Sequence, residues 1–296
     1  MFSKKDIGQI EAHGLTLEAI ERQLEGFRRG FPFLAIVSAA SVGDGIIRMD
    51  DRGREEYAER FRKYTADHKV LKFVPASGAA TRMFKDLFEF IITGNSNKVT
   101  NDVLARSDEF AFYEELEEYL PEDASAEEII AAIISGKGLN YGYQPKALIL
   151  FHKYADGPRT ALEEHLVEGA QYAACSAKVN LHFTVSPEHR EGFERVLCTA
   201  MPIFSSKFKV EYEVSMSEQE SSTDTIAVSP NNTPFRNEDG SLLFRPAGHG
   251  ALLQNLNAVD ADLVFIKNID NVTTDSRRYG TVEYKQALAG LLVELQ

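Results

Sequence analysis

A turn of small residues between an apolar run and a helical pattern is the strongest candidate for chemistry in this chain. Residues 70–74 (VLKFV) predict a buried strand, and PASGAATR follows directly before an amphipathic helical pattern. Small side chains let a backbone approach a ligand, and the N–H groups at a helix start favour an anion. Ser77, Gly78 and Thr81 lie in this turn, and Arg82 adds a cation that can bind phosphate oxygens. The pattern predicts a phosphate-binding turn, with a purely steric small-residue turn as the open alternative.

Two further segments carry polar or flexible groups at predicted element ends. Lys146 follows a proline and precedes a short apolar run, so its ammonium can reach a phosphate at that end. A solvent-exposed lysine is the alternative, since lysine is seldom buried. Gly248 and Gly250 flank His249 at the entrance of a predicted helix, where a flat ring can lie against the backbone. Paired glycines also serve as simple turn formers, so both interpretations stay open.

A carboxylate ends the last predicted strand. The segment 262–271 (DLVFIKNIDN) has an apolar centre, and Asp270 near its end is bracketed by Asn268 and Asn271. Oxygen ligands at a strand end suit Mg²⁺ that is shared with a nucleotide. The alternative is an ordinary Asn/Asp turn. The segment therefore predicts a magnesium site at Asp270.

The surrounding elements predict an α/β protein. From residue 141 onward, short apolar runs alternate with helical patterns, which is typical of βαβ units and a mostly parallel sheet with ligands at the carboxyl ends of strands. We expect residues 1–69 to form a helical N-terminal segment and residues 70–296 to form the α/β domain. The acidic stretch 94–140 is expected to fold as a helical insertion, because it is far longer than a usual connection.

Composition narrows the classes of function. The chain has 296 residues, 44% hydrophobic and 26% charged, as in an ordinary globular protein, and its net charge of −13 argues against a nucleic-acid partner. No apolar run is long enough to span a membrane, and the N-terminus lacks the apolar core of a signal peptide. Cys175 and Cys198 have no metal-like spacing, so we expect buried free thiols and a cytoplasmic location. The oligomeric state is left open.

Together the motifs resemble the UDP-sugar pyrophosphorylases among the sugar nucleotidyltransferases, and an uncharacterised bacterial family related to them. The resemblance spans residues 70–275 and rests on the combination of PASGAATRMF, QPKALILFHKY, RTALEEHLVEGAQYA, SEQ, FRPAGHGALLQNLN and FIKNIDN. It implies a Rossmann-like (GT-A-like) three-layer core with a mostly parallel sheet. It also implies Mg²⁺-dependent transfer of a nucleotidyl group from a nucleoside triphosphate to a sugar 1-phosphate, with release of pyrophosphate, and it favours uridylyl as that group.

The resemblance assigns a role to each site residue. It implies that Lys146 neutralises phosphate and that Asp270 holds Mg²⁺, with Arg82 as a further catalytic cation. The nucleotide-binding residues that it implies are Ser77, Gly78 and Thr81 at the phosphates, and Gln219, Gly248 and His249 at the base.

Two features of the chain leave other functions open. Ser77 and Ala80 stand where the resembled enzymes carry glycines, and a helical pattern without a stop signal runs to residue 296, as expected of a truncated or reduced enzyme. The first alternative is therefore a nucleotide-binding or sugar-nucleotide-binding module of the same fold without catalysis. The second is an interaction scaffold that uses the acidic insertion 94–140.

Overall fold

The computed structural model describes residues 2–296, apart from the side chain of His249. The described residues form eleven α-helices: α1 (Lys4–Ala12), α2 (Leu17–Arg29), α3 (Asp51–Tyr64), α4 (Lys85–Thr93), α5 (Lys98–Ala105), α6 (Tyr113–Glu117), α7 (Ala126–Ile134), α8 (Ala161–Tyr172), α9 (Arg190–Phe208), α10 (Leu253–Asn257) and α11 (Arg278–Leu295). The strands are β1 (Ser41–Val42), β2 (Gly45–Ile46), β3 (Val70–Pro75), β4 (Leu150–His152), β5 (Arg159–Thr160), β6 (Ala174–Cys175), β7 (Lys178–Val185), β8 (Glu211–Glu218), β9 (Thr225–Ile226), β10 (Phe244–Arg245) and β11 (Leu263–Ile266). Short 3₁₀ helices cover Ala80–Arg82, Ser107–Glu109, Lys146–Leu148, Pro187–His189, Ser221–Thr223, His249–Leu252 and Asp275–Arg277.

The chain divides into two compact units. The smaller comprises Met1–Asp50 and Gln219–Ala258, and the larger comprises Asp51–Glu218 and Val259–Gln296. These bounds differ from the sequence segments 1–69, 94–140 and 70–296, which stay a prediction about domain organisation. The mixed α/β class expected from the sequence is confirmed.

The larger unit is built on a sheet in which four strands run parallel. Their order is β11-β3-β7-β8, so β3 and β7 are central and β11 lies at one edge. Strand β6 pairs antiparallel with the start of β7 through a tight turn, in which Ser176 and Ala177 both have positive φ. Positive φ at both central residues matches the twist of a hairpin. All four parallel strands therefore present their carboxyl ends at the same edge.

One face of this sheet is covered by α8 and α9. Residues of β7 alternate in the expected way, so that Leu181 and Phe183 enter a core shared with Leu166 of α8 and Phe193 of α9. Helix α8 begins at a capping box, in which Thr160 accepts from the Glu163 backbone and the Glu163 side chain accepts from the Thr160 backbone. This cap fixes the start of the helix whose buried residues face the sheet.

Helices α3 and α11 pack together over β11. Phe61 of α3 and Ala289 of α11 share a core with Phe265 of β11. The two helices approach most closely at Gly290, where a built Cβ would lie 1.8 Å from the Tyr57 carbonyl oxygen. Only a residue without Cβ fits this crossing.

Replacing Gly290 by alanine is expected to lower the free energy of unfolding by about 1–3 kcal/mol, because the new methyl group collides with rigid backbone. Gly280 lies in the same helix with nothing within 4 Å of a built Cβ, so Gly280→Ala is the matched control. This control should leave stability unchanged or raise it by about 0.5–1 kcal/mol through helix propensity. Urea denaturation of both variants measures the difference, and equal effects would contradict the close approach.

Residues 80–151 form a second, mainly helical core in the larger unit. Phe84 and Leu87 of the α4 region pack with Leu116 of α6 and Ile133 of α7. Helix α7 starts at another capping box, between Ser125 and Glu128. Helices α5, α6 and α7 lie in the acidic stretch 94–140, and its role as an insertion stays a prediction.

The smaller unit has its own small core. Ile10, Ile20 and Leu24 of the first two helices pack with Ile226 and Leu242 from the second segment of this unit. The carboxamide of Gln9 donates to the Leu242 carbonyl (2.7 Å) and accepts from the Leu242 N–H (2.8 Å). These contacts join the two stretches of chain that form this unit.

Three details of the structure bear on sequence expectations. None of the described helices is long and apolar enough to cross a membrane. Both cysteines are free thiols, as expected, but only Cys175 is buried while Cys198 is exposed. The apolar patterns around the two cysteines predict that both are buried. Cys198 lies in α9, and the pattern does not show which side of that helix faces the core.

Candidate functional site

The predicted phosphate turn leaves the carboxyl end of β3. The N–H of Ala76 donates to the Thr184 carbonyl oxygen (3.0 Å), and the Ser186 hydroxyl donates to the Ser77 carbonyl oxygen (3.0 Å). These bonds hold the start of the turn against the end of β7. Among the described residues, no acceptor contacts the N–H groups of Ser77, Gly78 or Ala79. These three N–H groups are available to an anion.

The helix after the turn starts later than the sequence predicts. A 3₁₀ turn covers Ala80–Arg82, and the α-helix begins only at Lys85. The first N–H groups of α4 are thus separated from the turn, so the N–H groups of the turn itself are the candidates for binding an anion. The Ala80 N–H donates to the Gln144 carbonyl oxygen (3.1 Å), which ties this 3₁₀ turn to the segment before Lys146.

The segment of Lys146 lies directly beside this turn. The backbone N–H of Lys146 donates to the Gly78 carbonyl oxygen (3.4 Å), which completes a bridge between the two segments. Lys146 opens a 3₁₀ turn, and the strand expected from Ala147 begins only at Leu150. The fold therefore brings Gly78 and Lys146 together across the intervening helical stretch.

Asp270 reaches the same place from the edge strand. The chain continues beside β3 after β11 ends, because the Lys267 N–H donates to the Phe73 carbonyl oxygen (3.1 Å) and the Ile269 N–H to the Pro75 carbonyl oxygen (3.3 Å). The Asp270 carboxylate then forms an ion pair with the Lys146 ammonium, with the side chains 40% and 27% exposed respectively. Two residues that the sequence singled out separately are thus in direct contact.

The other predicted residues of the larger unit line the turn. Thr81 is exposed, and its hydroxyl donates to the Gly142 carbonyl oxygen (3.4 Å). Arg82 is exposed, and within residues 2–296 as described it has no ion-pair partner. A cation without a carboxylate partner keeps its charge available for an anion.

The three residues predicted to contact the base belong to the smaller unit. The Gln219 amide donates to the Thr223 hydroxyl (3.3 Å), and Gly248 is exposed before the 3₁₀ helix His249–Leu252. The side chain of His249 lies outside the described residues. The roles of Gln219, Gly248 and His249 in base recognition therefore stay predictions.

The donor set around Asp270 suits Mg²⁺ held mainly by phosphate. Within the described part of the chain, no group of three or more His, Cys, Asp or Glu side chains could hold a metal by itself. Mg²⁺ is usually bound through one or two carboxylates together with substrate phosphates and water. Asp270 supplies one carboxylate, and the exposed amides of Asn268 and Asn271 are its neighbours in sequence. The residues present fit a metal that arrives with a phosphorylated ligand.

A buried ionic cluster lies behind this edge of the sheet. The Glu168 carboxylate of α8 accepts from Lys72 of β3 (3.0 Å), from Lys267 (2.6 Å) and from the Tyr172 hydroxyl (3.2 Å). Glu168 and Lys72 are fully buried, and Lys267 is 8% exposed. Burial alone would raise the pKa of Glu168, but the two ammonium groups lower it to about 2. Burial lowers the pKa of Lys72 to about 7, against the attraction of Glu168.

A second buried carboxylate lies one helical turn earlier. Glu164 is fully buried, pairs with the Arg278 guanidinium, and accepts from the Tyr154 hydroxyl (2.5 Å). One of its oxygens also lies 2.9 Å from Nδ1 of His152. Sequence reasoning missed both clusters. The available signals were lysines inside the apolar runs VLKFV and LVFIKNI, and glutamates four residues apart on one helix.

Stability should depend on pH through Lys72. Its pKa of about 7 in the folded protein lies below the 10.5 of an unfolded lysine, so the unfolded chain binds more protons between these values. The free energy of unfolding therefore rises from pH 7.5 to 9.5, by up to roughly 1.4 kcal/mol per pH unit. The Lys72→Met variant should lack this rise. Urea denaturation at both pH values gives the two slopes, and identical slopes would contradict the shifted pKa.

The fold and this edge define a mixed α/β protein with a candidate anion site at the carboxyl ends of parallel strands. The chain belongs to the family described as a domain of unknown function, DUF4301, whose model matches residues 3–296. No curated protein matches the chain. The structure is similar to uridine diphosphate N-acetylglucosamine pyrophosphorylase from Trypanosoma brucei in complex with inhibitor, with a TM-score of 0.45 and 15% identity over 86% of this chain. The chain spans 40% of that protein's length.

Proposed function

We propose that this protein is a Mg²⁺-dependent nucleotidyltransferase with a Rossmann-like core. It transfers a nucleotidyl group, uridylyl by the motif resemblance, from a nucleoside triphosphate to a sugar 1-phosphate and releases pyrophosphate. The observation that carries the proposal is the contact between Lys146 and Asp270 beside the backbone of Gly78. In proteins with open parallel sheets, ligands bind at the edge where the carboxyl ends of the strands lie.

The proposed reaction needs charge stabilisation more than covalent help from the protein. A phosphate oxygen of the acceptor attacks the α-phosphorus, the bond from that phosphorus to the bridging oxygen of the β-phosphate breaks, and pyrophosphate leaves with the electron pair. The N–H groups of Ser77, Gly78 and Ala79 bind phosphate oxygens, while Arg82 and Lys146 neutralise the negative charge. Preorganised donors and cations of this kind provide much of the rate in such reactions.

Asp270 has two partners in this proposal. With no nucleotide present it pairs with Lys146. In the proposed complex Lys146 binds the phosphates, and the Asp270 carboxylate would hold Mg²⁺. The metal, when bound, neutralises phosphate oxygens and orients them.

A thermal-shift screen tests the proposal. The purified chain is heated with UTP, other nucleoside triphosphates and UDP-sugars, each with and without Mg²⁺. A ligand at about 100 times its dissociation constant adds roughly 2.7 kcal/mol of stability, which is a shift of a few degrees for a chain of this size. We expect a shift with one base that increases with Mg²⁺. The absence of a shift with every nucleotide would reject the proposal.

The ion pair also favours a second candidate, a nucleotide-binding module without catalysis. Lys146 and Asp270 neutralise each other, and the described edge offers one carboxylate where a permanent metal site would need more. A module of this kind binds nucleotide without Mg²⁺ and forms no product. Incubating the chain with UTP, Mg²⁺ and a panel of sugar 1-phosphates, and following pyrophosphate release, separates the two functions.

A further inference from the structure

Helix α8 makes direct contacts with the strand segment that ends at Asp270. The Nε2 atom of His165 lies 3.1 Å from the carbonyl oxygen of Ile269, the residue immediately before Asp270. Burial lowers the pKa of His165 well below its usual value, so the ring is neutral and donates from Nε2. Glu168, three residues along the helix, binds the Lys267 ammonium (2.6 Å). The helix thus holds this segment at two points.

The segment needs such support because it continues the edge strand of the sheet. Strand β11 has β3 on one side, and within the described residues it pairs with no strand on the other. The backbone beyond β11 is bonded to β3 through the N–H groups of Lys267 and Ile269, and His165 binds the Ile269 carbonyl from α8. Without the contacts from α8, the end of this edge segment and the Asp270 side chain would have fewer bonds to hold them in place.

The same helix also holds the strand that leads to the phosphate turn. The Lys72 ammonium of β3 binds both the Glu168 carboxylate (3.0 Å) and the His165 carbonyl oxygen (3.2 Å). One buried carboxylate therefore connects the strand before the turn with the strand before Asp270. Burying two lysines and a glutamate costs desolvation that an apolar core would avoid, so the cluster is better explained by the geometry it fixes than by the stability it adds.

We propose that His165 is a positioning residue that, with Glu168, sets the place of the Asp270 carboxylate relative to Lys146 and the turn. His165 acts through the Ile269 carbonyl and touches no substrate. The proposal rests on the proposed function only in taking Asp270 as the metal-binding carboxylate. The geometry itself can be measured without any nucleotide.

The test measures how fast the Lys146 amine is acetylated. Wild-type protein and variants are treated with a limiting acetylating reagent at pH 7.5, and modification of Lys146 is followed by peptide mass spectrometry. Asp270→Asn removes the carboxylate partner, so the Lys146 rate should rise roughly threefold, as expected for loss of a partly exposed ion pair. His165→Phe should produce most of that rise, and His165→Gln, which can still donate to Ile269, should restore the wild-type rate.

Two further variants separate positioning from simple loss of stability. Leu116→Ala empties a buried site in the helical core of residues 80–151, which includes no residue of the Asp270 segment, so it should lower the melting temperature and leave the Lys146 acetylation rate unchanged. Lys267→Met removes the contact between Glu168 of α8 and this segment, so it should also raise the Lys146 acetylation rate. It serves as the test variant if His165→Phe does not fold. A wild-type rate in His165→Phe or, failing that variant, in Lys267→Met would overturn the proposal.

In the same variants, we measure the Mg²⁺ concentration at which the rise in melting temperature caused by UTP reaches half of its maximum. It should rise several-fold in His165→Phe and stay at the wild-type value in Leu116→Ala. Changed acetylation with no response to any nucleotide would reject the proposed function and leave the positioning role in place. A normal nucleotide response with unchanged acetylation in His165→Phe would overturn the positioning role alone.

Discussion

Replacing Glu168 by alanine is expected to lower the free energy of unfolding by about 3–5 kcal/mol. The substitution leaves the Lys267 ammonium and the Lys72 amine buried without their carboxylate, and it removes the acceptor of the Tyr172 hydroxyl. An unpaired buried charge is among the most costly defects in a folded protein. Urea denaturation followed by circular dichroism measures the loss.

Two other variants test whether the loss of stability comes from the buried charges around Glu168. Glu213 pairs with Lys178 (2.8 Å) on the surface of the same sheet, so Glu213→Ala removes an exposed glutamate and should cost less than about 1 kcal/mol. Replacing Glu168, Lys72 and Lys267 together by Leu, Met and Met should recover most of the stability, because no charge is left unpaired. A cost for Glu168→Ala as small as that for Glu213→Ala would contradict the buried cluster.

The Asp270→Asn variant is expected to lose nucleotidyl transfer by at least about a hundredfold, because an amide cannot replace the carboxylate that we propose as the ligand of Mg²⁺. Asp270 is partly exposed, so the substitution should change the melting temperature little. Pyrophosphate release from UTP with the best sugar 1-phosphate is the measurement.

Asp260→Asn is the matched control for this variant. Asp260 is fully exposed before the start of β11, at the opposite end of that strand, and pairs with Lys69 (3.4 Å). Its substitution should leave transfer at the wild-type rate. Asp270→Asn with unchanged turnover would remove Asp270 from the mechanism, and equal losses in both variants would show that the effect is not local.

The sequence was sufficient to predict the principal strands. Strand β3 covers the predicted run VLKFV and extends by one residue to Pro75, β11 lies within the predicted segment DLVFIKNIDN, and β7 is one of the short apolar runs after residue 141. Such runs are informative because a parallel strand that is buried on both faces consists mostly of apolar residues. Gly78, Lys146 and Asp270 were each predicted from local rules about strand ends, and the fold brings these three together.

The sequence could not predict what depends on contacts between distant segments. Lys72 and Lys267 were taken as parts of apolar strands, since nothing in either run names Glu168 as their partner. The bond between the Ala80 N–H and the Gln144 carbonyl oxygen joins segments far apart in the chain, and no pattern near Ala80 encodes it. Gln219 entered through the family resemblance, and its role in binding a base stays a prediction.

The most direct test of the central claim is calorimetric titration of the protein with UTP and Mg²⁺. The claim is that Lys146 and Asp270 act together on the phosphates of a nucleotide. Lys178→Ala serves as control, because Lys178 also pairs with a carboxylate but lies at the opposite end of the sheet.

The account predicts Mg²⁺-dependent binding that Lys146→Ala weakens at least about tenfold, as expected for loss of a charge-assisted contact to phosphate, while Lys178→Ala binds as the wild type does. Binding that is equally strong in both variants, or no heat with any nucleotide in the wild-type protein, would contradict it.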